Sequence, residues 1–347
     1  MNYKIIVILP IAIVFFSCHK KQSPTPAFYH WRTTLTHNET EKNYLDSIQC
    51  QVLYIKVADI GLDPLTQAPV PYSLLDIQDT TLLGGRRWIP CVFITNEVFS
   101  AISAEKTVWL ARKTCKAIDA VAQKLPGTYT EVQIDCDWSA STREAFFAYL
   151  KQLKQLLPAQ TALSATIRLH QYKFPEKTGV PPVDGGMLMA YNTGDVEHFA
   201  AGHSIYRTQD AEKYWIGTRK PYPLPLDLAL PLFSWTLLYR DSLLHKIVPG
   251  LEADVLADTT RYVCTSKEDN VGRYVVREET FLEGHYLRPG DLLRTETVTP
   301  DLLWQIADQA RVQPWRHVAF FQLDAAAIRQ FSHTQIKRLC ETFAQAP

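Results

Sequence analysis

The chain has 347 residues, with 36 basic and 36 acidic side chains and no formal net charge at neutral pH. This balance, without any basic stripe, gives no field to hold a nucleic acid. The length is enough for one large α/β barrel or two ordinary domains.

Met1-Asn2-Tyr3-Lys4 is followed by an apolar run over 5–16, broken only by Pro10, and then by Ser17-Cys18. The run is too short to span a bilayer, which takes about 20 residues, and it has the length of a signal-peptide core. A cysteine directly after a small residue predicts a lipoprotein signal over 1–17, with Cys18 acylated as the new first residue. An ordinary secretory signal and an uncleaved anchor are the alternatives. The polar, proline-bearing segment 18–27 is expected to be a tether, and the barrel to occupy 28–347. The place implied is the cell envelope, with the membrane touched only through the lipid.

Beyond this point short apolar, β-branched runs alternate with amphipathic helical stretches, the sign of βα repetition around a parallel sheet. Eight runs are predicted as strands: 28–35, 51–58, 89–95, 131–137, 163–170, 186–192, 227–235 and 317–324. Helices are expected over 107–124, 141–157, 195–203, 239–247, 299–309 and 334–345, with a capping box at Ser141-Thr142-Arg143-Glu144. Eight strands with interleaved helices predict an α/β fold, the (β/α)8 or TIM barrel, against a doubly wound sheet as the alternative. The long connection between strands 7 and 8 carries short strand-like runs at 261–264, 272–277 and 286–293, and is expected to form a small insertion over 248–295.

Functional groups in this fold come from the C-terminal strand ends. The first strand offers Trp31, Glu97 follows the third, Asp135, Asp137 and Trp138 close the fourth, and Arg168 and His170 the fifth. Tyr191 and Asn192 close the sixth, Trp235 the seventh and Asp324 the eighth. Asp135 and Asp137 lie two apart and are expected on one face, where two close carboxylates force one pKa upward. Such a pair serves as a proton relay or holds a hydroxyl-rich ligand; a buried loop cap or a pairing with Arg168 or His170 is the plainer alternative. Ser164, Thr166, Arg168 and His170 share a polar face that is expected to meet the Asp pair in the lumen. Trp31, Trp138 and Trp235 are candidate floors for a sugar.

No metal site is expected: the histidines lack zinc-ligand spacing and no two cysteines stand at metal-ligand spacing. Leu83-Gly84-Gly85-Arg86-Arg87 is a turn rather than a phosphate loop, and no serine nucleophile elbow is present. No cofactor is called for. The six cysteines other than Cys18 are expected to be mostly buried free thiols.

Gln133-Ile134-Asp135-Cys136-Asp137-Trp138-Ser139 resembles the fourth-strand signature of family 18 glycoside hydrolases, Asp-Gly-x-Asp-x-Asp-x-Glu. Met187-Leu188-Met189-Ala190-Tyr191-Asn192 is similar to their sixth-strand Met-x-Tyr-Asp, and Phe320-Phe321-Gln322-Leu323-Asp324 to their last strand without its usual Trp. The whole pattern, with Ala165 to Gln171 and Val180 to Asp184, is closer still to a bacterial family of chitinase-like barrel lipoproteins with no assigned activity. The resemblance implies the barrel, an insertion after the seventh strand, and a glycan or oligosaccharide partner. It also exposes the departures: Ser139 stands where the family has its acid Glu, Val132 where it has its first Asp, and Asn192 where it has the sixth-strand Asp. Chitinases use the Glu to protonate the glycosidic oxygen and the substrate's acetamido group as nucleophile, a substrate-assisted exception to the two-carboxylate scheme. Three functions remain open from sequence. One is a glycosidase drawing on Asp137 with Glu97 or Asp324. The others are a non-catalytic glycan-binding barrel and a structural or protein-interaction barrel of the envelope.

Overall fold

A computed structural model describes residues 23–216, 221–250, 253–313 and 315–344. The expected signal segment and Cys18 lie outside these residues. Eight parallel strands close on themselves: Thr25–His30, Val52–Leu62, Arg87–Ile94, Glu131–Asp135, Ala162–Arg168, Gly185–Met189, Leu226–Pro231 and His317–Phe321. The first strand pairs with both the second and the eighth, which seals the barrel. It begins at Thr25, inside the segment expected to be tether. The second strand runs on past the rim and folds back as an antiparallel hairpin with Pro69–Leu74.

Alternation along the strands sorts lumen from outer layer. Val132 and Ile134 are fully buried against the helices, while Gln133 accepts a hydrogen bond from the Tyr29 hydroxyl across the lumen (2.6 Å). Packing on the outside follows helical spacing: Phe146, Tyr149, Leu150 and Leu153 form the buried stripe of the helix Arg143–Leu156. Close strand approach fixes one residue type, since a Cβ on Gly186 would lie 2.7 Å from Leu226 and 2.9 Å from Ile167.

Between the seventh and eighth barrel strands the chain builds a second, antiparallel sheet of five strands. Their order is Leu243–Pro249, Ser234–Arg240, Leu292–Thr297, Val271–Val276, Tyr262–Glu268, over a small core that includes Leu238, Tyr262, Val276 and Leu293. This sheet reaches beyond the expected 248–295 at both ends. The seventh barrel strand stops at Pro231, so Trp235 belongs to the inserted sheet rather than to a barrel strand end.

Two expected helices are corrected. The segment 239–247 is a hairpin that turns at Asp241 and Ser242, both with positive φ, a two-residue turn matched to strand twist. The segment 195–203 is a loop, and the helix in this region is Thr208–Trp215. The capping box at Ser141 also fails to form. Thr142 occupies the N-cap without a side-chain cap bond, and its hydroxyl donates instead to Asn96 Oδ1 (2.6 Å). Among the described residues all six cysteines are free; four are buried, Cys115 is partly buried and Cys264 is exposed.

Candidate glycan site at the barrel mouth

The fourth and fifth strands place the carboxylates. Asp135 is the last residue of its strand and sits in the lumen, 6% exposed, accepting a hydrogen bond from the Thr166 hydroxyl (2.7 Å). Burial raises its pKa to about 6, offset in part by Arg168 and reinforced by Asp137. Asp137 lies just past the strand end with its side chain half exposed, and Arg168 grips both of its oxygens, from Nε to Oδ1 and from Nη2 to Oδ2 (2.6 Å). Burial works against the charge on Arg168, yet Asp137 holds its pKa above the ordinary value. A bidentate guanidinium–carboxylate pair of this kind is geometrically specific.

Two donors beside this cluster have no acceptor. Arg168 Nη1 and the Tyr191 hydroxyl are both buried and unpartnered. Tyr191 is positioned by the turn that follows the sixth strand. Asn192 takes a left-handed conformation (φ 58°), which asparagine tolerates, and its N–H donates to Ile205 O (2.6 Å). Burial raises the Tyr191 pKa, so its hydroxyl stays protonated and a donor at neutral pH.

Aromatic rings span the opening. Trp31 meets Phe321 (ring centroids 5.4 Å), Phe321 stacks on Tyr191 (5.7 Å), and both touch Phe233 (5.8 Å each), which meets Trp235 (5.4 Å). Trp31, Phe233, Trp235 and Phe321 are all partly exposed. Lys56 lies 5.5 Å from the Trp31 ring centroid and pairs with Asp59 at 2.8 Å. Phe233 and Trp235 continue into a cleft of about 800 Å³ between the inserted sheet and the loop after the eighth strand, lined also by Tyr274, Glu296, Gln322 and Asp324.

Of the residues singled out from sequence, Asp135, Asp137 and Arg168 are brought together, and Trp31, Tyr191 and Trp235 are joined through two rings not anticipated, Phe233 and Phe321. The alternation of the eighth strand carried the signal for Phe321, because Phe320 packs outward on Phe28 (5.2 Å) and its neighbour must therefore face inward. Trp138 is corrected: it is buried beneath the helix Arg143–Leu156, stacked on Phe146 and donating to Thr178 O (3.0 Å), so it offers no face to a sugar. His170 leaves the expected strand stripe, which ends at Arg168, and is exposed on the short helix Leu169–Lys173. Partial desolvation against the neighbouring chain and the nearby Arg168 lower its pKa. Glu97 is exposed in the first turn of Asn96–Ala101. Asp324 caps Ala325–Ile328, accepting from the N–H groups of Ala326 (2.9 Å) and Ala327 (3.1 Å). Asn192 is exposed at the rim. Ser139 is held in the loop, its hydroxyl bonded to those of Ser141 (2.8 Å) and Thr142 (3.2 Å). Among the described residues no His, Cys, Asp and Glu cluster suits a metal ion.

Neither a protein-family model nor a curated protein matches the sequence. Solved structures do match the fold. The catalytic domain of a psychrophilic chitinase B from Arthrobacter superposes with a TM-score of 0.55 at 10% identity, over 94% of this chain and 97% of that one. The spore cortex-lytic enzyme SleL of Bacillus cereus gives 0.52 at 16% identity, over 92% and 74%. A chitinase from Chromobacterium violaceum gives 0.52 at 13% identity, over 88% and 98%. The chain therefore has the chitinase-like (β/α)8 barrel; at these identities the likeness is one of fold.

Proposed function

We propose that this chain is a lipid-anchored barrel of the cell envelope that binds a glycan at its mouth and does not cleave it. The observation that carries this reading is a combination: the carboxylate of Asp137 is clamped by Arg168, while Trp31, Phe321, Phe233 and Trp235 keep part of their rings exposed. Hydrolysis of the chitinase kind needs a carboxylic acid where Ser139 stands, and a serine hydroxyl bound to Ser141 and Thr142 does not release a proton near neutral pH. Asp324 is engaged as a helix cap. Binding needs none of this. An aromatic floor from Trp31 to Trp235, leading into the cleft, suits the apolar faces of sugar rings, and the unpartnered Tyr191 hydroxyl and Arg168 Nη1 supply directional donors. The apolar run before Cys18 supports export and anchoring.

One observation favours a second reading, glycoside hydrolysis. Asp135, with its pKa raised to about 6, is the buried carboxyl poised to exchange a proton near neutral pH. A panel of chitin and other β-linked oligosaccharides decides between the two. Binding by the wild type, weakened in Trp31→Ala and Phe321→Ala and without released product, supports the first. Product formation that is lost in Asp135→Asn supports the second.

A further inference from the structure

The barrel mouth faces away from the membrane that carries the anchor: we infer this from where the chain enters the fold and how little of it precedes that point. This inference rests on the acylation of Cys18 and deepens the binding reading by naming which glycans are within reach.

The first strand starts at Thr25, and a parallel barrel strand starts at the N-terminal face, opposite the mouth. Seven residue steps separate Cys18 from Thr25. Whatever their conformation, they span at most about 25 Å. For the mouth to meet the bilayer, the tether must first cross the helical layer, about 10 Å thick. It must then climb the height of a six-residue strand, about 20 Å, and pass the loops above it. The route exceeds the reach. The N-terminal face is the one that a short tether brings down on the lipid.

That face is composed accordingly. It presents Gly84 and Gly85 before the third strand and Arg87 at its first position, Lys124, Pro126 and Gly127 before the fourth, and Arg316 before the eighth, all exposed. Of the carboxylates near this rim, Asp227 pairs with Arg316 (2.7 Å) and Asp184 with Lys154. Exposed Arg87 and Lys124 suit the phosphates of anionic headgroups. The occupant of this face is the bilayer of the anchoring membrane. It follows that the mouth takes glycans of the wall or the surrounding space, not the headgroups of glycolipids in its own membrane.

The test uses the full acylated protein in vesicles of phosphatidylethanolamine and phosphatidylglycerol, with Cys18→Ser protein as the unanchored control. Intact mass comes first. An acyl mass on Cys18 confirms the anchor, and its absence overturns the anchor and the orientation together. Hydrogen exchange on the acylated protein then reads the orientation. The expected result is several-fold slower exchange in the turns 83–87 and 123–130 on vesicles, with the mouth loops 63–68 and 192–204 unchanged and no effect in Cys18→Ser. Slower exchange at the mouth loops, or no change at either end, overturns the orientation while leaving the anchor and the glycan reading standing.

Discussion

Two arginine–carboxylate pairs, one in the inserted sheet and one at the barrel mouth, differ in how far they are closed off. In the inserted sheet Arg294 and Glu296 are both fully buried (2.8 Å). Arg294 also donates to His198 O and Asp195 O, and Glu296 accepts from Ser204 N and Oγ, Ile205 N and Trp235 Nε1. Every strong donor and acceptor is engaged, and the result is a staple that ties the loop after the sixth strand to the inserted sheet. At the mouth, the Arg168–Asp137 pair is half open to solvent and leaves Arg168 Nη1 and the Tyr191 hydroxyl unmet. A closed network holds a structure together; the open one leaves donors free, which the proposed binding uses.

The largest expected effect breaks the closed member. Arg294→Met strands Glu296 without its cation, and removal of one partner of a buried pair typically costs about 3–5 kcal/mol. Urea unfolding should show that loss, and a change below about 1 kcal/mol contradicts a role for the pair as a staple.

Next comes a pH signature of about 3 kcal/mol at most, from groups that lie on either side of the lumen wall. Asp135 has its folded pKa raised to about 6 by burial, so the native state holds its proton more tightly than the unfolded chain does. That contribution to stability is present below pH 4 and is lost as pH rises through 6. His30 works in the opposite direction. Both of its ring nitrogens are buried and unpartnered, and burial lowers its pKa to about 4. Its neutral form favours the fold above pH 6.5, and stability is lost as pH falls toward 4. Unfolding free energies followed from pH 4 to 7 should therefore gain on the wild type at the upper end in Asp135→Asn and at the lower end in His30→Leu. Parallel curves for wild type and variants contradict the burial of these two groups.

Tyr191→Phe sharpens the open member. It deletes an unpartnered hydroxyl, so stability should hold or rise slightly, while glycan affinity should fall by about tenfold, one hydrogen bond's worth. Calorimetric titration beside a melting curve separates the two, and a loss of stability without a loss of affinity makes the hydroxyl structural. The smallest expected effect is on stability in Arg168→Met, below about 1 kcal/mol because Asp137 is half exposed and screened. A loss as large as that of Arg294→Met erases the distinction between the pairs.

The barrel was legible because its signal is local. Each of the eight strands is a short apolar run whose alternation survives in one segment, and the stripe Ser164, Thr166, Arg168 announced its inward face. Where long-range contacts decide the backbone, local patterns misled. Asp195 does start a turn, with its carboxylate accepting from Glu197 N–H (2.7 Å), which looks like the start of a helix. The helix does not follow because the carbonyls of Asp195, His198, Phe199 and Ala201 are taken by Arg294 and Arg273, about 70 to 100 residues away in sequence, and an α-helix needs those acceptors for itself. The site was half legible for the same reason. Asp135 and Asp137 announce themselves on one strand, but the clamp by Arg168 and the ring contacts through Phe233 and Phe321 come from other strands. Burial of Trp138 depends on the helix laid over it.

The most direct test of a binding mouth without hydrolysis is a single incubation of purified wild-type protein with β-linked oligosaccharides, followed at once for bound and cleaved sugar. The expected result is saturable binding, weakened in Tyr191→Phe, with the oligosaccharide recovered intact. Shortened product from the wild type, absent with Asp135→Asn, would contradict it.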